Sequence, residues 1–131
     1  MHTIEQRKLG KSGLAVPALG IGIWSWGETG WWNYGQSHTH DDVIQAYRTC
    51  LDAGFTFFDT AEVYGNGASE RLLGECRGLD GRSITIASKF APPLTRFSRA
   101  ARVRSSAQSL LQALDQSLKR LGVERIDLYQ I

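Results

Sequence analysis

Cysteine is scarce in this chain. Cys50 and Cys76 lie far apart, and neither belongs to a CxxC pair or to any other metal-binding spacing. That excludes a disulfide scaffold and a structural zinc site, and a reducing cytosol is the expected compartment. Long apolar runs are missing as well. Nothing approaches the roughly 20 residues that a membrane-spanning helix requires. Met1 to Arg7 holds no apolar core of the kind a signal peptide carries. Charge of one sign is also lacking. Fifteen Lys and Arg face thirteen Asp and Glu, a net charge of +2, too little to imply nucleic acid or an acidic membrane as partner. What is present is ordinary for a globular domain: 131 residues, 42% of them hydrophobic.

The apolar segments alternate between two lengths. Arg7-Lys8-Leu9 and Leu14-Ala15-Val16 flank Gly10-Lys11-Ser12-Gly13 and predict a hairpin. A short strand is expected from Ala18 to Ile23, followed by a Gly- and Trp-rich loop from Trp24 to Ser37. Thr39-His40-Asp41-Asp42 reads as a capping box with Asp in the third helical position. It opens a helix with Val43, Ala46, Tyr47, Cys50 and Leu51 on its apolar side, ended by Gly54. Gly54 to Phe58 leads into a buried strand that ends on Asp59. Ser69 is expected to cap a short helix closed by Gly78. Ile84 to Lys89 forms the next strand. A long helix from about Ser105 to Leu121 follows, with Val103, Ala107, Leu110, Leu111, Leu114, Leu118 and Leu121 at helical spacing and Gly122 as its stop. Ile126 to Ile131 is a fourth strand. The expected fold is α/β: the N-terminal half of a (β/α)₈ TIM barrel preceded by a β-hairpin, and the whole of 1–131 is one part of one such domain. A complete barrel takes about 250 residues, so the chain is expected to be truncated in or just after its fourth strand.

Two strands deliver chemistry to the same edge. Asp59 and Lys89 each stand at a strand's carboxyl end, with Tyr64 on the loop after Asp59. In parallel α/β folds that edge carries the active site. A phenol ionises near pH 10 in isolation, so it is a reluctant acid. A nearby ammonium favours the phenolate, and a carboxylate holds that ammonium in place. Such a trio can protonate the alkoxide left when a carbonyl accepts hydride, and the hydride itself must come from a cofactor. Singly, Asp59 reads as well as a strand-end cap, Lys89 as a solvated lysine and Tyr64 as an ordinary loop residue. Their convergence favours the site.

Trp24, Trp26, Trp31 and Trp32 either wall an apolar pocket or pack the loop onto the rim, and the pocket reading is strongest for Trp24. His38 and His40 flank a helix cap without further ligands, so no metal is expected. Arg96, Arg99, Arg102 and Arg104 read as a solvated loop, with a phosphate or partner contact as the alternative. A dinucleotide-binding domain would explain Asp59 as a ribose ligand, but no G-x-G-x-x-G loop enters a helix here.

Together the motifs Arg7 to Leu14, Leu19 to Trp24, Phe57 to Gly65, Gly67 to Glu70, Ile86 to Phe90, Ser117 to Gly122 and Ile126 to Ile131 resemble the N-terminal half of the aldo-keto reductases. The resemblance implies reduction of aldehydes or ketones with NADPH, NADH being possible in some members, and a small-molecule carbonyl as substrate. It implies Asp59, Tyr64 and Lys89 as three of the family's four catalytic residues, the fourth being a histidine directly after the equivalent of Ile131. Gly22, Ile23, Trp24 and Asp59 match positions near the nicotinamide. Many relatives carry Thr where Ile23 stands, so only the Ile23 backbone can make that contact. Some family barrels serve as cofactor-binding regulatory subunits, and a truncated remnant is a further alternative.

Overall fold

The computed structural model describes residues 4–91 and 107–131. Its elements are β1 (Gln6–Lys8), β2 (Ala15–Pro17), β3 (Ile21–Gly22), α1 (His40–Asp52), β4 (Phe57–Asp59), α2 (Ala68–Asp80), β5 (Thr85–Lys89), α3 (Ala107–Leu121) and β6 (Leu128–Gln130). β1 and β2 form the expected antiparallel hairpin. The remaining four strands form one parallel sheet in the order β3-β4-β5-β6. Sequential order with a helix in every crossover is barrel topology. A doubly wound domain reverses its strand order at a switch point, and this sheet does not.

The core lies between the sheet's outer face and the helices. Phe58 in β4 is fully buried against Tyr47 of α1, with ring centroids 5.1 Å apart, and against Trp26 at 6.2 Å. Ile23, Val43, Leu51, Leu73, Cys76, Ile86 and Leu121 belong to the same cluster. Val43, Tyr47 and Leu51 recur every fourth residue on α1, which puts them on one face of the helix. Burial pushes the Tyr47 phenol up to about 12. Thr39 caps α1, and the reciprocal Asp42 bond completes the capping box. Helices α2 and α3 approach backbone to backbone at Gly74, where a Cβ would lie 2.5 Å from the Leu121 carbonyl oxygen.

Several local expectations need correction. Ser69 is no cap: Gly67 precedes the first residue of α2, in the left-handed region, and makes no side-chain cap bond. The Ser69 hydroxyl is spent on tertiary contacts instead. Gly78 does not close α2, which continues to Asp80 and ends at left-handed Gly81. Ala46 and Leu111 face solvent, while Ser117 is buried in the α3 packing face. The first strand of the sheet is only two residues long. Val103, the predicted helix start at Ser105 and the basic run at Arg96, Arg99, Arg102 and Arg104 lie outside the described residues. No helix among the described residues is long and apolar enough to cross a membrane.

Candidate active site

Side chains alternate across a strand, so Asp59 and Lys89 share the face opposite to Phe58 and Ser88. β4 and β5 pair with Asp59 opposite Ala87. This sets Asp59 and Lys89 on a diagonal within reach of long side chains. The Lys89 ammonium donates to Asp59 Oδ2 at 2.7 Å, to the Thr60 carbonyl at 2.9 Å and to the Tyr64 hydroxyl at 3.3 Å. Its three N–H donors are thereby all directed, and the nitrogen lies 5.0 Å from the Tyr64 ring centroid. Both members of the ion pair remain about one-third accessible (30% and 33%).

Trp24 joins the same cluster. Its ring stacks on Tyr64 with centroids 5.8 Å apart and planes at 29°. Trp32 meets Trp24 edge-on at 5.9 Å. Two loops must touch for this to happen. A Cβ on Gly65 would sit 2.6 Å from the Gly27 carbonyl oxygen, so only a bare backbone allows the Trp24 and Tyr64 loops to meet there. Glu28 shapes the first of these loops. Its carboxylate accepts from the backbone N–H groups of Gly30 (2.8 Å), Trp31 (2.7 Å) and Trp32 (3.0 Å). Those donors, led by Trp32, hold its carboxyl below the usual range.

The four tryptophans divide into different roles. Trp26 is core, Trp24 and Trp32 are about half exposed beside Tyr64, and Trp31 is 85% exposed. Ile23 is fully buried. Its N–H donates to the Asp59 carbonyl and its own carbonyl accepts from Ser69 Oγ. These bonds tie the Ile23 backbone to β4 and to α2. Gly22 is exposed, and a Cβ there would meet nothing within 4 Å. His38 and His40 diverge: His38 bonds Ser37 Oγ and the Ser25 carbonyl, while His40 bonds Glu75.

A second set of polar groups lies directly behind the trio. Ser69 and Glu70 are completely buried. Glu70 accepts from Ser88 Oγ and from Arg120 Nε, each at 2.6 Å. Sequence reasoning missed these partners. The available signal was a carboxylate at Glu70 sharing a helix face with Leu73, three residues on, where a solvated charge is out of place.

The profile of the Aldo/keto reductase family matches residues 18–131. The chain belongs to the aldo-keto reductase family. Its relatives include the chloroplastic pyridoxal reductase of Arabidopsis thaliana, 35% identical over 128 residues (90% of this chain, 33% of that protein). A 6-dehydroglucose reductase of Novosphingobium aromaticivorans is 36% identical over 136 residues (95% of this chain, 40% of that protein). Among solved structures, an aldo-keto reductase from Klebsiella pneumoniae in complex with NADPH is 29% identical with a TM-score of 0.71, covering 97% of this chain and 38% of that one. An aldo-keto reductase from Bacillus halodurans in its holo form gives 0.75 at 25% identity, covering 97% and 39%. The aldo-keto reductase fold is a (β/α)₈ barrel, and the four parallel strands are part of it. The chain spans about a third to two-fifths of the length of these relatives. The family is one of oxidoreductases.

Proposed function

We propose that this aldo-keto reductase chain belongs to an enzyme that reduces an aldehyde or ketone to an alcohol, with Tyr64 as proton donor and Lys89 and Asp59 as its support. The observation that carries the reading is the Lys89 ammonium, held between Asp59 at 2.7 Å and the Tyr64 hydroxyl at 3.3 Å. The ammonium lies beside the phenolic oxygen whose proton would pass to a developing alkoxide, and a general acid must be positioned in this way to act. Asp59 fixes the ammonium's position, and the Thr60 carbonyl occupies a further donor.

The same edge suits a nicotinamide. Gly22 leaves open space on the strand beside Asp59, and the half-exposed Trp24 ring gives a flat apolar wall. A nicotinamide cofactor supplies the hydride that no side chain can. We assign Gly22, Trp24 and Asp59 to its reactive end, with Ile23 acting only through the backbone it anchors. NADPH is favoured by its presence in the similar Klebsiella structure. Trp24, braced by Trp32, forms an apolar wall for the carbonyl substrate. The 131-residue chain alone is expected to turn over little, since it spans only a third to two-fifths of its relatives and catalysis needs the reactants fully positioned.

The test is loss of NADPH absorbance in the full-length protein with a nitrobenzaldehyde. Tyr64→Phe should remove most of the rate and leave NADPH affinity largely intact. Full activity in Tyr64→Phe would refute Tyr64 as donor. A second reading is a cofactor-binding regulatory subunit, since the chain is also 36% identical to a putative voltage-gated potassium channel subunit beta of Schizosaccharomyces pombe. NADPH binding without turnover of any carbonyl would favour it.

A further inference from the structure

Behind the trio, four buried hydroxyl or carboxyl side chains connect the carboxyl ends of β3, β4 and β5 to the first turn of α2. Thr60, Ser69, Glu70 and Ser88 are each 0% exposed. Ser69 Oγ donates to the Ile23 carbonyl at 2.9 Å. Its single proton is spent there, so Thr60 Oγ1, 2.9 Å away, is the donor in their shared bond. The Ser69 backbone N–H donates to the Tyr64 carbonyl. Glu70, the next residue, takes the Ser88 hydroxyl at 2.6 Å and is charge-paired with Arg120.

The neighbours of these contacts in sequence are the site itself. Ile23 precedes Trp24, Thr60 follows Asp59 and lends its carbonyl to Lys89, and Ser88 precedes Lys89. Buried polar groups seldom add stability over apolar packing, but when fully bonded they restrict the arrangement to one geometry. We propose that Ser69 and Glu70 are positioning residues, which hold Asp59, Tyr64, Lys89 and Trp24 in register from behind the sheet. Ser69 and Glu70 lie on the opposite side of the sheet from the reacting atoms and touch no substrate, so they act wholly through Ile23, Thr60, Tyr64 and Ser88. The proposal rests on the reading of Asp59, Tyr64 and Lys89 as the reacting trio.

Thr60→Val in the full-length protein removes the hydroxyl at nearly constant volume, and Thr60→Ser keeps it. Misplacement of a reacting group by a fraction of an ångström to one ångström lowers kcat by about ten- to a hundredfold. Thr60→Val and Ser69→Ala should both show a loss in that range, with NADPH KM nearly unchanged. Thr60→Ser should recover most of the rate, which a purely volumetric role would not produce. Backbone amide exchange supplies a readout independent of activity. The Ile23 and Thr60 amides, bonded to the Asp59 and Ala87 carbonyls, should exchange faster in Thr60→Val while α1 is unaffected. A kcat retained in Thr60→Val and Ser69→Ala, or lost equally in Thr60→Val and Thr60→Ser, would overturn the proposal. If no variant, the parent included, consumes NADPH, the reductase reading fails by itself. The exchange rates then decide the positioning role, and unchanged rates would overturn it.

Discussion

Replacing Arg120 with Met isolates one charge in the protein's interior. Glu70 is 0% exposed and has two partners, Ser88 and Arg120. Arg120→Met leaves the carboxylate with the single Ser88 hydroxyl. Removing one member of a buried ion pair costs about 3–5 kcal/mol, because the survivor is left uncompensated. The Arg120 side chain is still 21% exposed, so water reaches one end of the pair and the lower figure, about 3 kcal/mol, is expected. The methionine retains an apolar stem over Gly67, where the Arg120 chain now packs. Packing loss therefore contributes little. The double variant Glu70→Leu/Arg120→Met removes both charges and should return to within about 1 kcal/mol of the parent. Urea unfolding followed by far-ultraviolet circular dichroism measures both, provided the slope with denaturant stays constant. A loss below about 1 kcal/mol in the single variant, or a double variant no more stable than the single, would show that Glu70 is not held as an uncompensated charge.

Gly74→Ala should lower the unfolding midpoint by an amount equivalent to about 1–3 kcal/mol, because the new methyl meets the Leu121 backbone and α2 and α3 must part. A stabilised variant, as helix propensity alone would give, would refute the close approach. The His40–Glu75 contact gives a pH dependence. The Glu75 hydrogen bond raises the His40 pKa in the folded state, so its contribution is complete below the unfolded value of about 6.5 and fades as pH rises through the folded value. The urea midpoint of the parent should fall relative to that of Glu75→Gln as pH rises through that window, and parallel profiles would refute the linkage.

The fold was largely legible because two signals agreed. Phe-rich and β-branched runs at Phe55 to Phe58 and Ile84 to Ile86 alternate with helical stripes, and only barrel or doubly wound topologies fit that alternation. The trio was legible because strand ends converge on one edge. What escaped was tertiary use of residues that carry strong local signals. Ser69 has the chemistry of an N-cap, yet its hydroxyl bonds the Ile23 carbonyl across the core. Gly78 looks like a stop, but an exposed helical glycine costs only about 1 kcal/mol, and Gly81 provides the left-handed end three residues later. Leu111 matched the helical stripe and still faces solvent, while Ser117 took a buried place beside Arg120. Helical spacing identifies an apolar face without showing where a neighbouring polar group will displace it. Ile23 matches a position near the cofactor end through the family resemblance, and nothing in the sequence revealed that its N–H and carbonyl are bonded to Asp59 and Ser69.

The alternation of Ser88 and Lys89 has a bearing on how the sheet assembles. On one side of β5, Ser88 finds a buried carboxylate; on the other, Lys89 finds Asp59. Sliding β5 by one residue would turn Lys89 toward the helices and Ser88 toward the open side, leaving Asp59 without Lys89 and Glu70 without Ser88. A two-residue slip would restore the faces but carry each donor about 7 Å along the strand, beyond reach of its acid. The carboxylates on either side of β5 thus favour the observed register over its one- and two-residue slips. The lysine proposed to serve turnover therefore also distinguishes the native alignment of the sheet from its neighbours.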